Sequence, residues 1–150
     1  MALTPAQITT LHTELINDPN NYGYAPYVNS ANDIVLANML NLVRAEITVK
    51  NMWIQSSDVL EAIDSRDFNA SPNIAHVAWF EAALNQGQIR LLEADGVTDT
   101  RALGNIKRII GNTQNSTTRI NAVANKLGSR AEQLLGVGTI LSSNDVGSAR

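Results

Sequence analysis

The chain has 150 residues with 14 Asp/Glu, 11 Lys/Arg and two His, which give a formal net charge of −3. This length predicts one domain, and folding then buries roughly 70% of the surface that the unfolded chain exposes. Cysteine is absent, which excludes disulfides, a thiolate nucleophile and a Cys-type metal site. The apolar runs are far shorter than the roughly 18 residues of a membrane span, and the N-terminus lacks a signal pattern. We therefore expect a protein that is neither membrane-inserted nor exported.

Charge is divided along the chain. Residues 1–100 contain twelve Asp/Glu and four Lys/Arg, a local charge of −8, whereas residues 101–150 contain two and seven, a local charge of +5. Such a division favours head-to-tail association of copies, or binding of the basic part to a polyanion. The basic residues that form the candidate interaction face are Arg101, Lys107, Arg108, Arg119, Lys126 and Arg130.

The N-terminal region contains a capped helix and an aromatic loop. Residues 4–7, Thr-Pro-Ala-Gln, provide a hydroxyl cap, a first-turn proline and the glutamine of a capping box, so they predict a helix over about 5–17. The loop that follows contains Tyr22, Tyr24 and Tyr27. Two interpretations of these tyrosines remain open: rings that pin the loop onto the core, or a contact surface for a partner.

The next segments are a helix and an ambiguous stretch. Ser30 is predicted to cap a second helix through about residue 43, with Ile34, Ala37 and Leu40 facing the core. Residues 44–56 alternate polar and apolar side chains and include β-branched ones, so they are either extended or a continuation of that helix.

Cap residues and closing glycines repeat through the rest of the chain. The pattern predicts helices over about 58–64, 72–95, 98–110, 116–127 and 129–135. Trp53, Trp79 and Phe80 are assigned to the core. The fold predicted from these signals is all-α, a compact bundle of five to seven short helices.

The last fourteen residues change character. They predict an extended C-terminal interaction tail, residues 137–150, after a helical domain of residues 1–136. Ordering such a segment costs roughly 1–2 kcal/mol per residue, whereas burying each of its larger apolar side chains returns about 1.5–3 kcal/mol. A partner, or the tail's own domain, must therefore supply further interactions. The side chains proposed to make them are Val137, Ile140, Leu141 and Val146.

Residues able to perform chemistry form no catalytic pattern. His12 and His76 have no spacing typical of a metal site, so we expect both to be structural. Four carboxylates recur every three residues over 58–67, which suggests paired acids or a cation site but is explained more simply by helix capping and a solvated face. We therefore expect no enzyme activity, no metal and no cofactor.

A small helical DNA-binding regulator is the alternative function. Helices over 103–110 and 115–127 have the order of a helix-turn-helix, and the second carries Asn, Thr and Arg side chains of the kind that read bases. Against this, a pI near 5.2 lacks the basic footprint of a DNA-binding protein. Residues 101–150 also contain no aromatic ring to stack on bases.

A resemblance gives a more specific expectation. The segment VKNMWIQSSDVLEAID at 49–64 resembles a family of small structural proteins of tailed phages, in which a tryptophan precedes a capped V-x-E-A-I helix. The similarity continues through GNIKRIIG at 104–111, SRAEQLLG at 129–136, Gly138-Thr139 and the closing Asn-Asp-Val at 144–146. The match consists of apolar and cap positions, and the tail is shorter than is usual in the family.

The resemblance implies a non-enzymatic virion protein that is assembled in the host cytoplasm. It suggests a head-to-tail connector, neck adaptor or tail assembly component, in which small helical subunits form rings and extend C-terminal segments into neighbours. The implied partners are copies of itself in a cyclic homo-oligomer and virion proteins such as portal or tail components. No membrane is involved, and nucleic acid is relevant only as the genome passing nearby. A baseplate or capsid-bound position remains open.

Overall fold

The computed structural model describes residues 3–63, 67, 74–110 and 114–150. These residues form nine helices and four short strands, so the fold is mixed α/β and the all-α prediction is wrong. The helices are α1 (Pro5–Asn17), α2 (Ala25–Asn29), α3 (Asp33–Asn41), α4 (Ser56–Ala62), α5 (Ile74–Asn85), α6 (Ala102–Ile109), α7 (Gln114–Ala124), α8 (Arg130–Leu135) and α9 (Ser143–Ala149). The strands are β1 (Val43–Lys50), β2 (Trp53–Gln55), β3 (Gln88–Arg90) and β4 (Asn125–Ser129).

The chain forms two compact units. The first consists of Met1–Ile47 and Leu127–Arg150, and the second consists of Thr48–Lys126. The first unit is therefore built from both ends of the chain. The boundary proposed from the sequence, after Gly136, lies inside this first unit. Strands β1 and β4 pair in one two-stranded sheet, and the chain passes from one unit to the other within each of them.

The core of the first unit is formed by α1, α3, α8 and α9 together with one tyrosine of the aromatic loop. Helix α9 packs against α1 and α3, and α8 packs against α3. The buried side chains are Leu11, Leu15, Tyr24, Leu36, Ala37, Leu40, Ala131, Leu135, Leu141, Val146 and Ala149.

Capping explains where α1 and α8 begin. Thr4 and Gln7 form a capping box at the start of α1, and Ser129 and Glu132 form another at the start of α8. Each box satisfies backbone N–H groups that have no partner inside the helix. Both helices were predicted from these residues, and both predictions are confirmed.

Two further sequence predictions for the first unit are wrong. Helix α3 begins after Asn32, whose side chain accepts a hydrogen bond from the N–H of Val35, and not after Ser30. Ala31 has a φ of 55°, which separates the short α2 from α3. Ile34, which was predicted to face the core, is 66% exposed, whereas Leu36 is fully buried.

The C-terminal segment is not an extended tail. Residues 143–149 form α9, which begins at a capping box between Ser142 and Asp145. Leu141 and Val146 are buried in the core of the first unit, at 3% and 0% exposure. Of the two suppliers considered from the sequence, a partner or the tail's own domain, the tail's own domain provides these contacts.

The second unit has a separate core beneath a small antiparallel sheet. Strand β2 pairs with β3, with Ile54 opposite Ile89, and helix α5 precedes β3. Helix α6 packs on α5, and α7 packs on α4. The buried residues are Ile54, Val59, Ala62, Phe80, Ala83, Ile89, Leu91, Ala102, Ile106, Ile109, Ile110, Ile120 and Ala124.

Several helix boundaries predicted for this unit are wrong because glycines and strand pairing end the helices early. Gly87 has a φ of 75°, so α5 stops at Asn85 and residues 88–90 are extended instead of helical. Helix α7 ends at Ala124, and the residues expected to continue it join β4. The capping box proposed at residues 58 and 61 does not form, because α4 already begins at Ser56. The predicted helix start at Ser71-Pro72 lies outside the described residues.

Candidate interaction surfaces

The one histidine side chain that the structure describes, that of His12, lies next to α9 in the first unit. His12 contacts the backbone oxygen of Ala149 through Nδ1 at 2.7 Å. Within the described residues no cluster of His, Asp and Glu side chains has the geometry of a metal site. Asp64 and the side chain of His76 lie outside the described residues. Among the helices of the described residues, none has the length and apolarity needed to cross a bilayer.

The acidic and basic parts of the chain meet inside the first unit. Arg130 donates hydrogen bonds to both carboxylate oxygens of Glu14, from Nε at 2.8 Å and from a terminal nitrogen at 2.6 Å. Only 13% of the Arg130 side chain and 3% of the Glu14 side chain are exposed. Hydrogen bonding to Glu14 raises the pKa of Arg130, although burial opposes the charge. Arg150 forms a second ion pair with Asp33 at 2.9 Å.

These pairs change the meaning of the charge division. The first unit contains six Asp/Glu and three Lys/Arg, a net charge of −3, and the second unit contains eight of each, a net charge of zero. The lengthwise contrast of −8 and +5 therefore does not separate the folded units. Since Arg130 is paired within its own chain, it is not available to attract the acidic part of another copy.

The other basic residues of the candidate face belong to the second unit. Arg101 and Arg119 are exposed, and Lys107 is half-buried. Arg108 and Lys126 each take part in a noncovalent interaction within the chain. Helices α6 and α7 each pack mainly on another helix, α5 and α4 respectively, so the described residues do not place them in the close pair that a helix-turn-helix needs.

The aromatic loop lies on the first unit's core. Asp18 accepts hydrogen bonds from the backbone N–H groups of Tyr22, Gly23 and Tyr24, at 2.7, 2.7 and 3.2 Å, and these bonds fix the turn. Tyr24 is fully buried, and burial raises the pKa of its phenol, with Glu14 and Asp18 adding to the effect.

The two other tyrosines are half-buried and pack against the same core. The guanidinium of Arg44 lies 3.9 Å from the ring centroid of Tyr22, within cation–π range. Tyr27 is the third member of the loop. The Tyr24 ring is therefore internal, whereas the rings of Tyr22 and Tyr27 retain some exposed surface.

A side-chain amide holds the segment before α9. Asn41 donates to the backbone oxygen of Leu141 at 2.8 Å and accepts from its N–H at 2.9 Å. We call this pair of hydrogen bonds the Asn41 clamp. Val137 is half-buried, whereas Ile140, immediately before the clamped residue, is 82% exposed.

Each of the two segments joined by the Asn41 clamp has an exposed apolar residue next to its clamped residue. Leu42 and Val43, which follow Asn41, are 56% and 58% exposed, and Ile140 precedes Leu141. The two clamp hydrogen bonds bring these two backbone segments together. We call Leu42, Val43 and Ile140 the clamp patch. Single exposed apolar side chains are common on protein surfaces, and it is their grouping that is typical of an interaction site.

The second unit has an open depression of about 320 Å³. It is lined by Trp53, Trp79, Ala82, Ala83, Gln86, Gln88, Ile89, Arg90, Thr100 and Ala102. Trp53 is 48% exposed, which contradicts its assignment to the core, and Trp79 is half-buried. We call this feature the Trp53 depression.

The rim of the Trp53 depression is held in place by hydrogen bonds. The guanidinium carbon of Arg90 lies 5.3 Å from the ring centroid of Trp53, and Arg90 Nε donates to the backbone oxygen of Leu92 at 2.8 Å. Thr100 donates to the backbone oxygen of Arg90 at 2.6 Å. The next residue, Arg101, is exposed and has a φ of 70°, a conformation that non-glycine residues rarely adopt.

The sequence contained only part of the signal for this site. Trp53 occurs in a segment of alternating polar and apolar residues that is compatible with a strand or a helix, and its ring was predicted to lie in the core. The pairing of β2 with β3 puts Ile54 inside and Trp53 outside. Arg90 is 37 positions away in the sequence, and no local pattern predicts its contact with that ring.

The first unit also has a depression, of about 400 Å³, beside α1. Its lining includes Thr9, Thr10, Thr13 and Leu134. The three threonine hydroxyls donate to backbone oxygens of the preceding helical turn, at 2.9–3.0 Å. These side chains therefore present mainly their methyl groups, and their hydroxyls are already used inside α1.

Comparison with known proteins adds no relative. The chain matches no protein-family model, no curated protein and no solved structure at a significant level.

Proposed function

We propose that this protein is a non-enzymatic structural subunit of a tailed-phage virion, a connector or adaptor that forms a ring at the head-to-tail junction. The observation that carries the proposal is the clamp patch, where Leu42, Val43 and Ile140 are exposed on a backbone that hydrogen bonds hold in place. The resemblance of residues 49–64 to small tailed-phage proteins supports the virion assignment. Portal or tail proteins are the proposed neighbours.

The clamp patch is suited to association because its conformation is fixed before binding. Ordering a flexible segment at an interface costs about 0.5–1.5 kcal/mol per immobilised side chain, in addition to the backbone cost. Here Leu141 is already buried and held by Asn41. Removing Ile140 from water in a complex then contributes about 1.5–3 kcal/mol with little further ordering.

Contacts between copies are proposed to be mainly apolar. The acidic and basic parts of the chain are already joined internally by Arg130 with Glu14 and by Arg150 with Asp33. An association that depended on exchanging these partners between copies would first have to break two intramolecular pairs. A head-to-tail contact between different surfaces of identical subunits still generates a ring when its rotation closes.

Two measurements test this proposal. Cryo-electron microscopy of purified particles, with mass spectrometry of their proteins, should locate the chain in a ring between head and tail. Absence of the chain from every particle would refute the virion assignment. Sedimentation of the purified chain should show concentration-dependent assembly that persists in moderate salt.

Substitutions and DNA binding separate assembly from regulation. Leu42→Ser, in the clamp patch, should weaken assembly, whereas Leu60→Ser, which changes a similarly exposed leucine of the second unit, serves as the control. The regulator alternative predicts duplex DNA binding that weakens steeply as salt increases. Such binding by the wild-type chain, without assembly, would favour the regulator over the virion subunit.

A further inference from the structure

We propose that the Trp53 depression of one copy receives Ile140 of a second copy. This inference rests on the proposed function, since it names the two surfaces that meet when subunits assemble. It gives a role to the exposed tryptophan of the second unit and to the most exposed large apolar side chain of the first unit.

The receiving surface has the composition of an interface centre. Tryptophan and arginine are enriched among residues that contribute most to protein association, and they act in pockets from which water is excluded. Trp53 and Arg90 form such a pair, with the guanidinium 5.3 Å from the ring centroid. Hydrogen bonds to Leu92 and from Thr100 already fix Arg90, so this surface needs little rearrangement before it binds.

The inserting side chain is equally well fixed. Ile140 is 82% exposed, more than any other large apolar side chain in the described residues. The backbone on one side of it is held by the Asn41 clamp, and on the other side Gly138 donates its N–H to Glu132 at 3.0 Å. An exposed apolar side chain held between two anchors is suited to inserting into a depression.

The dimensions of the two surfaces agree. A dry cavity of about 150 Å³ already accommodates benzene. The Trp53 depression, at about 320 Å³, therefore has room for an isoleucine side chain. Its lining combines two tryptophans and three alanines with the polar side chains of Gln86, Gln88 and Thr100.

Charge also favours this pairing of surfaces. Ile140 belongs to the unit with a net charge of −3, and the carboxylate of Glu132 holds the segment just before it by accepting the N–H of Gly138. Arg90 at the rim of the depression is already paired with Glu93 at 3.8 Å, so the positive charge offered beside the rim is mainly that of the exposed Arg101. Complementary charge at a rim increases the association rate and selects the register, while the apolar centre supplies affinity.

The two surfaces differ, so the contact is heterologous. When two copies meet, one copy retains an unused depression and the other retains an unused Ile140, and a third copy can therefore join. Repetition of such a contact produces a closed ring or an open filament, depending on the rotation between subunits. A face that paired with itself would stop at a dimer.

Cysteine trapping tests the contact directly because the natural chain contains no cysteine. Ile140→Cys and Gln88→Cys are prepared as separate full-length chains, one with a mass tag, and are mixed under mild oxidation. We expect a disulfide heterodimer of the two variants. Ile16→Cys, a 57% exposed position on α1, mixed with Gln88→Cys is the matched control and should give much less heterodimer.

Sedimentation of substituted chains provides an independent readout. Trp53→Ala and Ile140→Ser should each weaken self-association by about 30-fold or more, as expected for a central interface residue. Leu60→Ala, which removes a 51% exposed side chain from the same unit as Trp53, should have a small effect. The Ile140 side chain is 82% exposed in the free chain, so Ile140→Ser should leave folding unchanged. Its effect on self-association can therefore be measured even if Trp53→Ala disturbs the second unit.

The outcomes distinguish this inference from the proposed function. Self-association that is unchanged in both variants, with no trapped heterodimer, overturns the inference but leaves a ring-forming subunit intact. Loss of incorporation into particles by Trp53→Ala without weaker self-association also overturns it, because another virion protein would then occupy the depression. Wild-type chains that neither assemble nor occur in particles overturn both proposals.

Discussion

Replacing Arg130 by methionine should strongly destabilise the first unit. The substitution keeps an apolar stem but leaves Glu14, whose side chain is 3% exposed, without the two hydrogen bonds of 2.8 and 2.6 Å that it now accepts. Removing one partner of a buried ion pair costs about 3–5 kcal/mol, because the remaining charge is buried and uncompensated. For a unit of this size, about 4–8 °C of melting temperature corresponds to 1 kcal/mol, so the transition should fall by at least about 12 °C.

The distribution of aromatic residues allows the two units to be followed separately. All three tyrosines belong to the first unit, and both tryptophans, Trp53 and Trp79, belong to the second. Second-derivative ultraviolet absorbance of the tyrosines therefore reports unfolding of the first unit, and tryptophan fluorescence reports that of the second. Arg130→Met should shift the tyrosine transition more than the tryptophan transition.

Two control proteins make this result interpretable. The double variant Glu14→Leu with Arg130→Met removes both charges, and we expect it to recover most of the lost stability, since an apolar pair can replace a buried ion pair at little cost. Arg119→Met, an exposed change in α7, should alter stability by less than about 0.5 kcal/mol. A loss below 1 kcal/mol for Arg130→Met would refute the reasoning, because Glu14 would then be adequately solvated without its partner.

Three further predictions concern the C-terminal segment. Asn41→Ala should cost about 1–3 kcal/mol by leaving the buried N–H and C=O of Leu141 unpaired; faster hydrogen exchange at Leu141 is the check, and unchanged exchange would contradict the clamp. A chain truncated after Gly136 should lose the tyrosine transition of the first unit, because three of the deleted side chains are fully or nearly fully buried; retention of that transition would show that α9 is dispensable. Hydrogen bonds from Ser142 lower the pKa of Asp145 below its ordinary value near 3.8, so its stabilising effect is present above that value and is lost as the pH falls. Asp145→Asn should therefore flatten the acid side of the stability profile measured by urea unfolding, and an unchanged slope would refute this assignment.

Local capping signals in the sequence were sufficient for α1 and α8. In both cases a hydroxyl residue and a Gln or Glu three positions later complete a capping box, and the energetic gain depends only on neighbours in sequence. The same type of signal was misleading at Asp58 and Glu61, because α4 begins two residues earlier and joins directly to β2. A local pattern thus identified a helix correctly but misplaced its start.

The strands depended on partners that are distant in sequence. Residues 44–56 were left open between helix and strand, and pairing of β1 with β4 and of β2 with β3 makes them largely extended. A glycine at position 87 made a continuous helix over 72–95 less favourable. Its left-handed φ, which ends α5 and leads into β3, could be seen only in the structure. Helical periodicity after Ala124 was overridden in the same way by strand pairing.

The candidate surfaces were predictable only in part for a related reason. Ile140 was identified from the sequence as an interaction residue, and the structure leaves it exposed, but Leu141 and Val146 in the same set are core residues. Their burial follows from contacts with helices more than a hundred residues earlier in the chain. Trp53 was assigned to the core because large aromatic side chains are usually buried there, and only the strand register shows its exposure.

The burial of the C-terminal segment favours association through a fixed surface over association through a released tail. To extend into a neighbour, α9 would have to leave its own unit and expose Leu141 and Val146, at about 1.5–3 kcal/mol for each side chain. The Asn41 clamp and the ion pair between Arg150 and Asp33 would break at the same time. A neighbour would have to replace all of these contacts before contributing any net affinity. Insertion of Ile140 requires none of them to break, because that side chain is already in solvent while the residues around it remain folded.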